Sequence, residues 1–309
     1  MILPNFVEIV EVGPRDGLQN EAVMVSTEGK IALIKALTLA GMKRFEATSF
    51  VSPKWIPQLA DAAEVIAGLP SDPNVTYGSL IPNERGYERA KVAGLPEVVL
   101  VMSATEGHSR ANLNRTVNEA LAAIPALVKR GRADGIHVRV SISTVFGCPF
   151  DGVPTTERVH WIVEHVIAAG IDEITLCDTI GVANPRQVFE TFTRVRSAFP
   201  NHKIGAHFHD TRGLALANVI AALDAGIRTF DTSIGGLGGC PYAPGAAGNV
   251  STEDVVHMLD AMGIETGIDL GQLMNAADLV AQLVEHPVRA SINRSLLQWK
   301  CPVLEPFQT

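Results

Sequence analysis

Strand and helix signals alternate along most of this 309-residue chain, and that alternation limits its fold more than any other feature. Residues 7–12 alternate β-branched residues with glutamates and break at Gly13-Pro14, the pattern of a strand entering a turn. Residues 27–39 place Ile31, Leu33, Ile34, Leu37 and Leu39 near helical spacing, and Gly41 follows as a stop. The same reading predicts strands over 44–48, 75–81, 98–102, 137–144, 173–177, 203–209 and 229–234. It predicts helices over 61–69, 84–93, 116–130 (with a kink at Pro125), 156–169, 185–199 and 215–225. Repeated strand–helix units imply a parallel sheet, and eight of them in about 250 residues fit a closed (β/α)8 TIM barrel of the α/β class. An open doubly wound sheet is the alternative, but no glycine fingerprint follows the first strand. Helical patterns over 252–262 and 270–285 pack beside or across the barrel. The chain therefore reads as one catalytic domain over 1–309, with the barrel about 5–262 and a C-terminal helical extension about 263–309.

Composition narrows the function classes. A hydrophobic content of 47% supports a full core, and a net charge of -8 argues against nucleic acid or an anionic membrane as partner. Cys148, Cys177, Cys240 and Cys301 show no zinc-like pairing and no disulfide framework. The opening residues lack the charged and apolar regions of a signal peptide, and no apolar run is long enough to span a bilayer. A cytoplasmic protein is expected.

Barrel enzymes carry their chemistry at the C-terminal ends of the strands. Those ends here supply Arg15 and Asp16, then Glu46 with Thr48 and Ser49, then Ser103, Thr105 and Glu106. Further round come Ser143 and Thr144, Asp178 and Thr179, and finally His207, His209 and Asp210. Polar groups inside an apolar barrel carry a desolvation cost unless they pair or bind something, so this many at one end indicate a site. Strand alternation sends the imidazoles of His207 and His209 to one face. With the Asp16 carboxylate and an amide oxygen from Asn249 they make a mixed O/N donor set that suits Mg²⁺ or Mn²⁺ better than structural zinc. Taken singly, a turn before Gly17 accounts for Asp16 equally well, and a helix cap for Asn249. Residues 235–249, rich in glycine and proline around Cys240, read as a bent loop able to close over a ligand.

These stretches together resemble the 3-hydroxy-3-methylglutaryl-CoA (HMG-CoA) lyase family of metal-dependent barrel enzymes. The matching segments are Val10-Glu11-Val12-Gly13-Pro14-Arg15-Asp16-Gly17-Leu18-Gln19-Asn20-Glu21, residues 48–55, Asp178-Thr179-Ile180-Gly181, residues 207–210 and residues 235–249. The resemblance implies that Asp16, His207, His209 and Asn249 bind the cation and that Arg15 stabilises a thioester enolate oxygen. It implies that Glu46 and Asp178 orient substrate and relay protons, and that Cys240 acts as acid or base from the loop. Gln19, Ser49, Asn112, Thr116, Thr144 and Thr179 are the candidate contacts to an acyl-CoA substrate. The implied reaction is retro-Claisen cleavage to acetyl-CoA and acetoacetate by a homodimer.

Two segments depart from the family pattern: Ala104-Thr105-Glu106-Gly107-His108 and Ser143-Thr144-Val145-Phe146. Both face the expected acyl side, so a longer or more polar 3-hydroxyacyl-CoA is an alternative substrate. The rival readings are a Claisen-condensing enzyme related to isopropylmalate or homocitrate synthases, an aldolase of the same superfamily, and a non-enzymatic scaffold. Leu18 before Gln19, where the condensing enzymes show glutamate, and the cysteine loop argue against the first two. Competent residues at every candidate position argue against the third.

Overall fold

Eight parallel strands pair in sequence order, and β8 closes on β1, in a computed structural model that describes residues 3–239 and 248–295. The strands are β1 Glu8–Glu11, β2 Arg44–Ser49, β3 Thr76–Ile81, β4 Glu97–Ser103, β5 His137–Ser143, β6 Glu173–Asp178, β7 Lys203–Phe208 and β8 Thr229–Thr232. The connecting helices are α1 Thr27–Leu39, α2 Ala62–Ala67, α3 Glu84–Val92, α4 Glu106–Leu113, α5 Val117–Asp134, α6 Thr156–Ala168, α7 Pro185–Ala198 and α8 Ala215–Asp224. After β8 come α9 Thr252–Ala261, α10 Leu270–Val284 and α11 Ser291–Ser295, with α10 packed on α1 and α9. The closed barrel, not the open sheet, is the fold.

Two helices differ from expectation. α4 was not predicted, because its sequence Glu106-Gly107-His108-Ser109-Arg110-Ala111-Asn112-Leu113 has no apolar periodicity. α5 runs on past residue 130 to Asp134, with Pro125 inside it. Its start is set by a capping box, in which Thr116 accepts from the Glu119 amide and Glu119 reaches back to the Thr116 amide. Gly41 ends the α1 unit at φ 103°, where an added Cβ would lie 2.3 Å from the Gly267 carbonyl; only glycine fits there.

Most apolar strand residues face the helices. Val138, Val140 and Ile142 of β5, Ile204, Ala206 and Phe208 of β7, and Phe230 of β8 are all buried in that layer. The alternate positions fill the barrel interior, and many of them are charged. At the N-terminal end Arg44 donates to Glu97 (2.6 Å) and Glu173 (2.8 Å) and also reaches Glu8 (3.2 Å). β2 and β6 are not neighbours, so these bonds cross the barrel floor. Burial raises the Glu97 carboxyl, but the His137 hydrogen bond and the Arg44 charge outweigh that and hold it at about 2.

Removing Arg44 strands carboxylates that it neutralises inside the barrel. Arg44→Met is expected to lower the unfolding free energy by about 3–5 kcal/mol in urea titrations. A loss under about 1 kcal/mol would place the cluster with weak surface pairs instead.

Candidate active site

The turn after β1 brings the first two groups together. Gly13–Gly17 forms a π-helical turn in which the amides of Arg15, Asp16 and Gly17 all point at the Val12 carbonyl, at 3.1, 2.7 and 3.3 Å. This turn is held from below by Glu11. Its Oε1 accepts from the amides of Gly13 (2.7 Å) and Ile234 (2.9 Å), and its Oε2 from Thr252 Oγ1 (2.7 Å). One buried carboxyl therefore ties the β1 turn, the β8 turn and α9 together.

Asp16 meets the two histidines across the barrel mouth. Its Oδ2 lies 4.0 Å from His207 Nε2 and 3.9 Å from His209 Nε2, and the two imidazole centroids are 5.1 Å apart. All three residues are buried, with one ligand atom each within 4.8 Å of the others. β7 ends at Phe208, so the predicted strand does not extend through His209. His209 instead pairs antiparallel with Asn249, because the returning chain offers a backbone partner: Val250 donates to Phe208 (2.9 Å) and Asp210 to Gly248 (2.9 Å). Asn249 is thus fixed beside the cluster and does not cap α9, whose cap is Ser251. Its Nδ2 donates to Asp16 Oδ2 (2.8 Å) and to the Leu237 carbonyl (3.0 Å), and its buried Oδ1 has no partner among the described residues. Gly238 makes this approach possible, since a Cβ there would stand 2.5 Å from Asn249 Nδ2.

Burial alone would raise the Asp16 carboxyl; Arg15, His207, His209 and the Asn249 hydrogen bond outweigh it and hold the group at about 2. Burial, reinforced by the His207 charge, pushes the His209 imidazole down to about 4. An ionised carboxylate and a neutral imidazole are the forms that bind metal. This hard oxygen with two nitrogens, beside an orphaned amide oxygen, fits a divalent cation.

Arg15 links the cluster to β2. Its Nη1 reaches Asp16 Oδ1 (2.5 Å) and its Nε donates to Glu46. Burial raises the Glu46 carboxyl, opposed by Arg15 and Arg139. Gln19 donates to Asp16 Oδ1 (3.0 Å), so it belongs to the same group. Asp178 ends β6 and spends both oxygens on the Val182 and Ala183 amides (2.9 and 3.0 Å), which shapes the turn holding Thr179. Thr179 Oγ1 in turn accepts from the Thr144 amide (2.8 Å), and Thr144 Oγ1 meets Thr105 Oγ1 at 3.0 Å. Ser49 is buried at the end of β2, where its Oγ accepts from the Val51 amide (3.2 Å).

Asn112 is exposed on α4, and Thr116 is engaged in its capping box. Among the described residues neither is hydrogen-bonded to the cluster. Cys240 lies outside the described residues. Around the site, the buried groups Glu11, Arg139, Asp231 and Glu253 escaped the sequence reading. The argument that found Glu46, a charge inside a barrel strand, applies equally to Glu11 on β1, Arg139 on β5 and Asp231 on β8. Glu253 had no such signal.

The HMGL-like family model matches residues 6–280. The chain belongs to that family. Among the members of the HMGL-like family it resembles is a hydroxymethylglutaryl-CoA lyase of Bacillus subtilis, 46% identical over 93% of this chain and 96% of that protein. A 3-hydroxy-3-isohexenylglutaryl-CoA/hydroxymethylglutaryl-CoA lyase of Pseudomonas aeruginosa is 43% identical over 92% and 95%. A solved HMG-CoA lyase of Acinetobacter baumannii, in complex with coenzyme A and 3-methylmalate, superposes with a TM-score of 0.91 at 41% identity, covering 98% of each chain. No described helix is long and apolar enough to cross a membrane.

A second carboxyl holds the loop that returns to Asn249. Both oxygens of Glu253 accept from the Gly235 amide (2.9 Å each), and burial pushes this carboxyl from 4.5 to about 8. The folded protein then keeps a proton that the unfolded chain releases at lower pH. The stability due to this group is complete below pH 4.5 and drains away as the pH rises through 8. Glu253→Gln removes that drain. The melting temperature of the variant minus that of the wild type is expected to climb steadily from pH 5 to pH 8, and parallel melting curves would contradict it.

Proposed function

We propose that this chain is a divalent-metal-dependent carbon–carbon lyase that cleaves HMG-CoA to acetyl-CoA and acetoacetate. The observation that carries the reading is the Asp16–His207–His209 cluster with Arg15 and Glu46 against it, on a family member that matches named HMG-CoA lyases along nearly its whole length. In the cleavage the tertiary hydroxyl gives up its proton, the C2–C3 bond breaks, and the electron pair leaves on the thioester as an enolate. A proton at C2 then completes acetyl-CoA.

Asp16, His207 and His209 would hold Mg²⁺ or Mn²⁺, with Asn249 beside them. When bound, the cation acts as a Lewis acid toward the substrate's oxygens. Arg15 is charged at every working pH and aims its guanidinium into the cluster, where it stabilises the developing enolate oxygen. Glu46 fixes that guanidinium and, with its raised carboxyl, serves as a proton acceptor in a water-poor site. Asp178 orders the Thr179 turn that faces the acyl side. Cys240, from the glycine-rich loop, supplies the proton to C2. Gln19 and Ser49 line the substrate side of the β1 and β2 ends. A homodimer completes the reading, on the strength of the sequence resemblance.

A second substrate belongs to the same reading. Thr105 and Thr144, whose hydroxyls meet, both fall in the segments that depart from the family pattern, and a relative of 43% identity is named for a longer 3-hydroxyacyl-CoA as well. Acetyl-CoA release from a panel of 3-hydroxyacyl-CoA esters, with and without Mg²⁺, separates these outcomes. Metal-dependent release from HMG-CoA is expected, abolished in Asp16→Asn and lowered about 10²–10³-fold in Arg15→Met. Cys240→Ser is expected to lower the rate sharply while leaving metal affinity unchanged. Preferred release from a longer ester moves the substrate and keeps the mechanism; no release from any thioester overturns it.

A further inference from the structure

His207 and His209 present similar nitrogens to Asp16, yet their other nitrogens differ. His209 Nδ1 is buried without a partner among the described residues. His207 Nδ1 lies 3.3 Å from Asp231 Oδ2. His207 and Asp231 are register partners in the β7–β8 ladder, so both side chains leave the sheet on the same side. That side is the barrel interior, because Arg139 from β5, which borders neither strand, donates through Nη2 to the same Oδ2. Arg139 is 0% exposed and Asp231 3%. No solvent competes for either group.

An imidazole offers one nitrogen to a ligand only when the proton sits on the other. A carboxylate against Nδ1 holds the proton there and leaves the Nε2 lone pair free, and it also fixes the plane of the ring. We propose that Asp231, itself held by Arg139, is the positioning residue that sets the tautomer and orientation of His207 so that Nε2 faces the cation shared with Asp16. This rests on reading the cluster as a cation site. Arg139 matters because its guanidinium donates to the same Oδ2 that faces His207 Nδ1. The guanidinium confines the carboxylate to the His207 side.

The test is Mn²⁺ affinity of the metal-free protein, read by the free-Mn²⁺ electron paramagnetic resonance signal. Asp231→Asn is expected to weaken binding about 10- to 100-fold. Because this variant leaves the Arg139 charge buried alone, the double variant Arg139→Met/Asp231→Asn removes both charges together and is expected to show the same weakening at a near wild-type melting temperature. A purely structural pair would shift melting and leave Mn²⁺ affinity alone; that result overturns the proposal. Long-range ¹H–¹⁵N spectra of the metal-free wild type decide the point without any variant, with the His207 signal identified by its absence in His207→Asn. A protonated Nδ1 is expected at pH 9, and a bare Nδ1 overturns the assignment. Wild-type protein that binds no Mn²⁺ at all defeats the cation site itself, and the proposal with it.

Discussion

A charge inside a barrel has no water to turn to, so it must find an opposite charge across the lumen. This protein meets that requirement in three tiers. Arg44 is bonded to Glu97 and Glu173 at the floor, Arg139 to Asp231 in the middle, and Arg15 to Glu46 and Asp16 at the mouth. Barrel interiors are more often filled by branched apolar residues. Here most apolar strand residues lie on the outer faces, under the helices, and the lumen carries a column of alternating sign. The cluster at its mouth is the last tier of that column.

The parts of the site that lie outside the strands are anchored by the same economy of buried carboxyls. Glu11 reaches up to the Gly13 turn and sideways to Ile234 and Thr252, while Glu253 holds Gly235. The segment after α10 adds a further tie, with Arg289 donating its amide to the Gly235 carbonyl (2.9 Å) and His286 meeting Glu21 (2.7 Å). The cluster residues on the β1 turn and on the returning Asn249 segment therefore share supports, although more than two hundred residues separate them in sequence.

Much of this was legible in the residues. The eight-strand alternation is written in β-branched runs and glycine stops, and the His-x-His spacing placed two imidazoles with Asp16 at one end of the barrel. The rest was hidden for identifiable reasons. Helix α4 carries no apolar stripe and is held by local contacts, such as Ser103 Oγ with His108 Nδ1 at 2.6 Å. Thr116 and Glu119 are spaced as a capping box, a local signature that the reading toward substrate overrode. Arg139 is the one Arg/Lys/Asp/Glu of β5 and Asp231 that of β8, and nothing in one dimension says that strands five and eight will bring them together. Asn249 was found as a donor, but its pairing with His209 depends on a loop return that sequence periodicity does not encode.

The two ends of the segment between Gly239 and Gly248 are fixed independently of what lies between them. Asn20 Nδ2 donates to the Gly239 carbonyl (3.1 Å), and Asp210 donates its amide to the Gly248 carbonyl (2.9 Å). A loop whose ends are already closed adds little to the entropy of folding when its length changes, since that cost grows only with the logarithm of length. Changes of length between these anchors are then nearly neutral for stability. The barrel can keep its ion column unchanged across descendants while the interval between these anchors varies in length.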